Sequence, residues 1–160
     1  MRRQHGFTLV ELMVTLLILG IAVSGVGLMV DSARTRDADH AVEQLRRALE
    51  TAATRADVRG RQFAIEFGTD AYRILELDAH GEWRTVKSEA ALSAHRLPDG
   101  LYWAGLSEPT HGPFSSPVHR RIHIGSRAPR YRLSLRHADR LHILEGDANG
   151  RVRHVVSRVD

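Results

Sequence analysis

Three rhythms of apolar and polar positions follow one another along this chain. From Phe7 to Val30 nearly every side chain is apolar. From there Ala38, Ala41, Val42, Leu45, Ala48, Leu49, Ala52 and Ala56 recur at steps of three and four, the stripe of an amphipathic helix. Asp39, Glu43, Arg46, Arg47 and Glu50 fall outside that stripe and are expected on the opposite, solvated faces, with Glu43 and Arg47 spaced for an i,i+4 pair. No Pro separates the two stretches, so they predict one helix that begins at Phe7. Gly60 suits the left-handed position just past a helix end, which sets the C-terminus there. Gly20, Gly25 and Gly27 weaken the first half and predict a bend or an unwound turn between them.

Beyond Gly60 the period falls to two. Phe63, Ile65 and Phe67 alternate with polar neighbours, Gly68-Thr69-Asp70 turns the chain, and residues 72–77 return. Asp78-Ala79-His80-Gly81 turns it again toward residues 83–86, and residues 87–97 read as a short helix or loop. Pro98-Asp99-Gly100 is a turn signal before Leu101-Tyr102-Trp103. Residues 119–124, 130–136, 141–145 and 151–156 complete the strands, the last two joined by a hairpin turn through Gly146 to Gly150. Tyr131, Leu133 and Leu135 are expected inside, with Arg130, Arg132, Ser134 and Arg136 outside. Pro109, Pro113 and Pro117 make residues 105–117 an expected exposed loop. A helix followed by a run of antiparallel strands is α+β: one long helix packed on a β-sheet head, since neither can bury its apolar face alone.

The first rhythm has its own chemistry. Residues 7–30 make about 24 residues of helix, roughly 36 Å at ~1.5 Å per residue, enough to cross a hydrocarbon core of ~30 Å. Arg2 and Arg3 precede the run and only Asp31 follows at once, so the N-terminus is expected on the cytoplasmic side. The only Gly of the basic leader, Gly6, stands before the apolar run. An ordinary secretory signal has its small-residue cleavage site after that run. Cleavage after Gly6 would keep the apolar helix and make Phe7 its first residue. Glu11 then lies inside the span, where a carboxylate costs about 2.5–3.5 kcal/mol and needs a partner.

Gly6-Phe7-Thr8-Leu9-Val10-Glu11 resembles the class III signal of type IV pilins and type II secretion pseudopilins. The resemblance implies a prepilin peptidase that cuts between Gly6 and Phe7 and N-methylates Phe7. It also implies an assembly role for Glu11, pairing with the amine of a neighbouring subunit; a buried amine and a buried carboxylate offset one another only when paired. In the head, Arg59-Gly60-Arg61, His95-Arg96-Leu97-Pro98-Asp99-Gly100 and Leu144-Glu145-Gly146-Asp147 with Asn149-Gly150-Arg151 resemble the H-type minor pseudopilins of type II secretion. That implies a pilin-like fold divided into a leader (1–6), a transmembrane or filament-core helix (7–30), its amphipathic continuation (31–60) and a periplasmic head (61–160). The implied location is the inner membrane, single-pass, and after assembly a periplasmic filament that drives export across the outer membrane. Implied partners are the other major and minor pseudopilins, the prepilin peptidase, the inner-membrane assembly platform and, before assembly, lipid. The alternative is a minor type IV pilin used in pilus assembly or DNA uptake. Such pilins commonly carry a pair of Cys in the head, and this chain has none, which favours secretion.

Composition changes little in this picture except through charge. The absence of Cys removes disulfides and thiol chemistry. Residues 7–117 hold 11 basic and 15 acidic side chains, whereas residues 118–160 hold 10 basic and 4 acidic. The basic excess is all Arg; Arg127, Arg130, Arg132, Arg136, Arg151 and Arg153 are candidates for one face, read as a solvated or protein-docking surface in preference to a nucleic-acid site. Ten His invite a metal, but His119 and His123 share a strand face about 13 Å apart, and only His137 and His142 flank a turn that brings them close. The Asp147 to Gly150 segment lacks the alternating acids of a calcium loop. Ser115 and Ser116 near His111 and His119 form no nucleophile motif, and no phosphate loop or dinucleotide fingerprint is present. The expectation is a structural subunit with no catalytic residue, metal or cofactor. A minor subunit needs a partner surface, and Phe114 in the expected loop is the candidate anchor, or else a residue folded back on the head's own core.

Overall fold

The structure, a computed structural model, describes residues 9–86, 92–108, 112–114 and 120–159, with the side chains of 22–31 and 112–114 outside that description. It divides into two compact units, residues 1–36 and 37–160. Helix α1 spans Leu9–Arg59 as 51 residues. The helix assignment is unbroken at Gly20, Gly25 and Gly27, so the unwound turn expected there is absent: a few glycines weaken a long helix by about 1 kcal/mol each without having to break it. It ends where Gly60 takes φ +61°, a conformation without steric cost for glycine alone.

In the second unit, the strands are β1 (Phe63–Phe67), β2 (Ala71–Leu77), β3 (Trp83–Thr85), β4 (His95–Arg96), β5 (Leu101–Glu108), β6 (Gly112–Phe114), β7 (Arg121–Ile124), β8 (Tyr131–His137), β9 (Arg140–Gly146) and β10 (Val152–Arg158). They form two antiparallel sheets. The first has the order β3-β2-β1-β7, with β4 also paired to β2; the second has the order β10-β9-β8-β5-β6. The division into two sheets follows from pairings that no local pattern encodes: β1 reaches across the sequence to β7, and β5 to β8.

The helix stripe lies at the centre of the core. Ala38, Val42, Leu45, Ala48, Leu49, Ala52 and Ala56 are buried as their spacing predicts, Ala53 joins them, and Ala41 packs against them half-buried. Facing them are Phe63, Ile65 and Phe67 of β1, Ile122 and Ile124 of β7, and Tyr131, Leu133 and Leu135 of β8. The small Ala side chains let the sheets approach the helix closely, while Leu45 and Leu49 fill the space between. Between the sheets, the Trp103 ring sits edge-on to Phe67 at 5.0 Å, and its Nε1–H donates to the Gly68 carbonyl at 2.9 Å.

The expected loop over 105–117 is a hairpin. β5 continues to Glu108 and β6 returns antiparallel to it, with Leu106 opposite Phe114. A bulge between Trp103 and Gly105 lets both Trp103 and Leu106 point inward, which breaks the strict alternation that would have marked a strand. Pro113 is tolerated because β6 is an edge strand. Residues 87–91, 109–111 and 115–119 lie outside the described residues, and with them the expectations for His111, Ser115, Ser116 and His119.

The turns follow their side-chain chemistry. Asp78 and Asp147 each accept two backbone N–H groups at their Oδ1, from His80 and Glu82 and from Asn149 and Arg151, at 2.9–3.0 Å. Each turn closes on a glycine of positive φ, Gly81 at +80° and Gly150 at +77°. Asp147 is thus spent on turn geometry.

Candidate functional site

Assembly chemistry is expected at the N-terminus, where Gly6 and Phe7 lie outside the described residues and α1 begins at Leu9. From Leu9 to Ile21 every residue of the helix is exposed, including Leu9 at 77%, Leu17 at 65% and Ile21 at 67%. A helix apolar on every side suits lipid or the company of other helices. Glu11 is in its first turn, where a carboxylate is also favoured by the helix dipole. Its carbonyl accepts the Thr15 hydroxyl at 2.6 Å, so Thr15 spends its polar group within the helix. Among the described residues no helical window is long and apolar enough to cross a membrane, and the expected span of 7–30 runs past the described side chains at both ends.

In the head, four of the polar positions outside the stripe line one flank of the helix beside β9 and β10. Asp39, Glu43, Arg46 and Glu50 are spaced by four, three and four, which stacks them along that flank. Arg46 bridges Glu43 at 2.7 Å and Glu50 at 2.8 Å, and Arg47 adds 3.0 Å to Glu43, the pair expected from spacing. Arg46, with Arg47 helping, holds the Glu43 carboxyl down at about 2. Glu50 Oε1 also accepts the Val152 backbone N–H at 3.0 Å, and Asp39 accepts Arg140 at 3.0 Å, so the flank ties the helix to the last hairpin.

Within that seam, His142 is fully buried and stacks on His154 at 5.4 Å, with His142 Nδ1 and His154 Nε2 3.2 Å apart. His142 Nε2 points toward Asp39 Oδ1 at 3.8 Å, beyond hydrogen-bond range. Burial pushes both imidazoles below their ordinary pKa. The sequence marked His142 beside His137; its closer partner is His154, which only the β9–β10 register brings opposite Leu144 and next to His142. Among the described residues no three His, Asp or Glu side chains come together as a metal site.

The Arg groups resolve into different environments. Arg132, Arg136 and Arg153 share the outward face of the second sheet, where Arg153 and Arg132 flank Glu145, the latter at 3.5 Å. Arg153 first and Arg132 second hold the Glu145 carboxyl below its usual range. Arg127 and Arg130 belong to the β7–β8 connection, and Arg151 to the end of the last turn. Tyr131 is buried, as alternation predicts, and the aromatic on this outward face is Tyr102, opposite Arg136. On the first sheet a row Arg73–Glu66–Arg121 crosses three strands in register; burial opposes its ionisation, yet the two guanidiniums hold Glu66 low. Phe114 sits on edge strand β6 with its side chain outside the description.

Comparisons with known proteins address both halves. Residues 1–27 match the family model of the prokaryotic N-terminal methylation motif. Type II secretion system protein H of Pseudomonas aeruginosa is 33% identical over 109 residues, 67% of this chain; the match spans 59% of that relative's length. Two solved structures of the minor pseudopilin EpsH from the Vibrio cholerae type 2 secretion system share the fold. One is 16% identical at a TM-score of 0.57, over 74% of this chain and 96% of that one. The other is 13% identical at a TM-score of 0.61, over 78% and 96%. Motif, aligned relative and fold agree: the N-terminus of this chain is similar to that of proteins carrying the N-terminal methylation motif, and its head has the fold of the minor pseudopilin EpsH.

Proposed function

We propose that this chain is a minor pseudopilin of a type II secretion system, a structural subunit that helps assemble the periplasmic filament driving export across the outer membrane. The observation that carries the proposal is the pairing of an exposed, all-round apolar helix bearing Glu11 with 33% identity over 109 residues to type II secretion protein H. The prepilin peptidase cuts between Gly6 and Phe7 and methylates Phe7. The chain waits in the inner membrane, N-terminus cytoplasmic and head periplasmic, in contact with the assembly platform. Extraction from lipid exposes Glu11 to the new amine of an adjacent subunit, and the pair forms as the helices bundle. A lone carboxylate in hydrocarbon costs several kcal/mol, so the pairing favours filament over lipid. In the head, Phe114 on edge strand β6 is a candidate partner anchor.

The test is processing and secretion together. Mass spectrometry of the mature chain is expected to find N-methyl-Phe7 as its first residue, and Gly6→Glu to leave a heavier, membrane-held precursor. Deleting the gene should reduce secretion, with rescue by the wild type and not by Gly6→Glu. Retained Met1 in a host that has the peptidase, or full secretion by the deletion strain, would refute the proposal.

A further inference from the structure

The outward face of the second sheet carries a surface that the described residues leave partly open. Strand register orders its side chains into three rows crossing β5, β8, β9 and β10: Tyr102–Arg136–Leu141–Ser157, then Gly105–Ser134–Ile143–Val155, then Ser107–Arg132–Glu145–Arg153. Neighbouring rows are two residues apart along β8, β9 and β10, roughly 7 Å, with one extra residue at the β5 bulge, and four strands span about 14 Å. The middle row is low at one end, with Gly105 and Ser134, and aliphatic at the other. Ile143 is buried yet stands apart from the core cluster on the opposite side of the sheet, and Val155 beside it is 39% exposed. The outer rows rise on either side with Tyr102, half exposed, and with long Arg side chains. The result is a shallow apolar trough between charged walls.

The walls do not balance. Three Arg stand against one carboxylate: Arg132 and Arg153 share Glu145, and Arg136 Nε donates to the neutral carbonyl of Ala138 at 3.2 Å. The first sheet differs, because there Glu66, Glu76, Asp70 and Asp78 each pair with an Arg. An apolar floor with a net positive rim selects a partner that is apolar at its centre and acidic around it. It also disfavours a nucleic acid, whose phosphates would meet Glu145 and an aliphatic floor.

We propose that this face docks an acidic patch of another pseudopilin, one projecting aliphatic or aromatic side chain packing on Val155 at the aliphatic end of the middle row while its flanking carboxylates pair with Arg132, Arg136 and Arg153. The proposal rests on the pseudopilin reading and adds to it the surface and the chemistry of its partner. The test uses the processed full-length chain in detergent, with each of the other pseudopilins of the same system purified in the same detergent as probes. Val155→Glu, which puts a carboxylate on the trough floor, and Arg136→Glu, which reverses a wall, should each weaken one of these pairings by on the order of tenfold or more. The wild-type pairing should weaken as salt rises. Thermal melts identify a variant that fails to fold, and Arg136→Glu, at a half-buried outward site, stands independently of Val155→Glu. Unchanged affinity in both folded variants, with processing and secretion intact, overturns this surface and leaves the pseudopilin reading standing. A wild type that binds none of the probes and is dispensable for secretion overturns that reading itself. Salt-sensitive binding of a DNA duplex, lost in Arg136→Glu and kept in Val155→Glu, would assign the face to nucleic acid and also overturn the proposal.

Discussion

Gly146→Ala sets two effects of opposite sign against each other in the head. Gly146 closes β9 opposite Tyr131, and its φ is not positive. At such a site an Ala would ordinarily stabilise by about 0.4–1 kcal/mol by reducing the freedom of the unfolded chain. Here a Cβ would lie 2.3 Å from Tyr131 Cε1 and 2.5 Å from Cζ, far inside van der Waals contact. The ring has nowhere to go: the space left among Leu49, Ala53, Ile124 and Val152 is about 10 Å³. Overpacking of this kind costs typically 1–3 kcal/mol, so the net effect is a loss of about 1–2 kcal/mol. For a head of this size that corresponds to roughly 4–10 °C in Tm. The assay is a thermal melt of wild type, Gly146→Ala, Tyr131→Ala and the double variant. Tyr131→Ala removes the ring and is costly alone, but adding Gly146→Ala to it should then cost nothing further. A single Gly146→Ala as stable as wild type, or the same penalty with and without the ring, would refute the packing argument.

The His142–His154 seam makes the head acid-sensitive. Both imidazoles have depressed pKa values, so the unfolded chain binds protons first; the stability they contribute is present above about 6.5 and is lost as pH falls through their folded values. Chemical denaturation between pH 7.5 and 5 should show that decline, and His142→Phe should flatten it; an equal decline in the variant would assign the sensitivity elsewhere. Trp103→Phe keeps a ring against Phe67 but leaves the Gly68 carbonyl without its 2.9 Å donor, and should lower stability by about 1 kcal/mol. An unchanged melt would show that the bond adds nothing.

Much of this architecture is legible in the sequence because it is local. The helix stripe from Ala38 to Ala56, its end at Gly60, and the Asp-to-Gly turns at 78–81 and 147–150 each depend on residues within one or two turns of one another. The two-sheet division depends on pairings such as Phe63 with Ile124, separated by most of the head. The bulge at Trp103 hides a strand by setting two inward residues out of alternation. The charged flank of Asp39, Glu43, Arg46 and Glu50 is visible as a helical series outside the apolar stripe. Nothing local tells that Glu50 meets the Val152 N–H or Asp39 meets Arg140. His154 carries no local signal either, although pairing outward on both sides of the 147–150 turn sets it opposite Leu144 and diagonal to His142. The N-terminal signal, by contrast, is read from consecutive residues and needed no tertiary information.

Assembly through Glu11 is the centre of this account, and one measurement reaches it directly: recovery of this chain with the other pseudopilins from membranes of cells expressing wild type or Glu11→Ala. The carboxylate is proposed to favour the filament over lipid, so Glu11→Ala should insert, be cleaved after Gly6 and carry N-methyl-Phe7, yet fail to co-assemble and fail to restore secretion to a deletion strain. Full co-assembly and normal secretion by Glu11→Ala would contradict it.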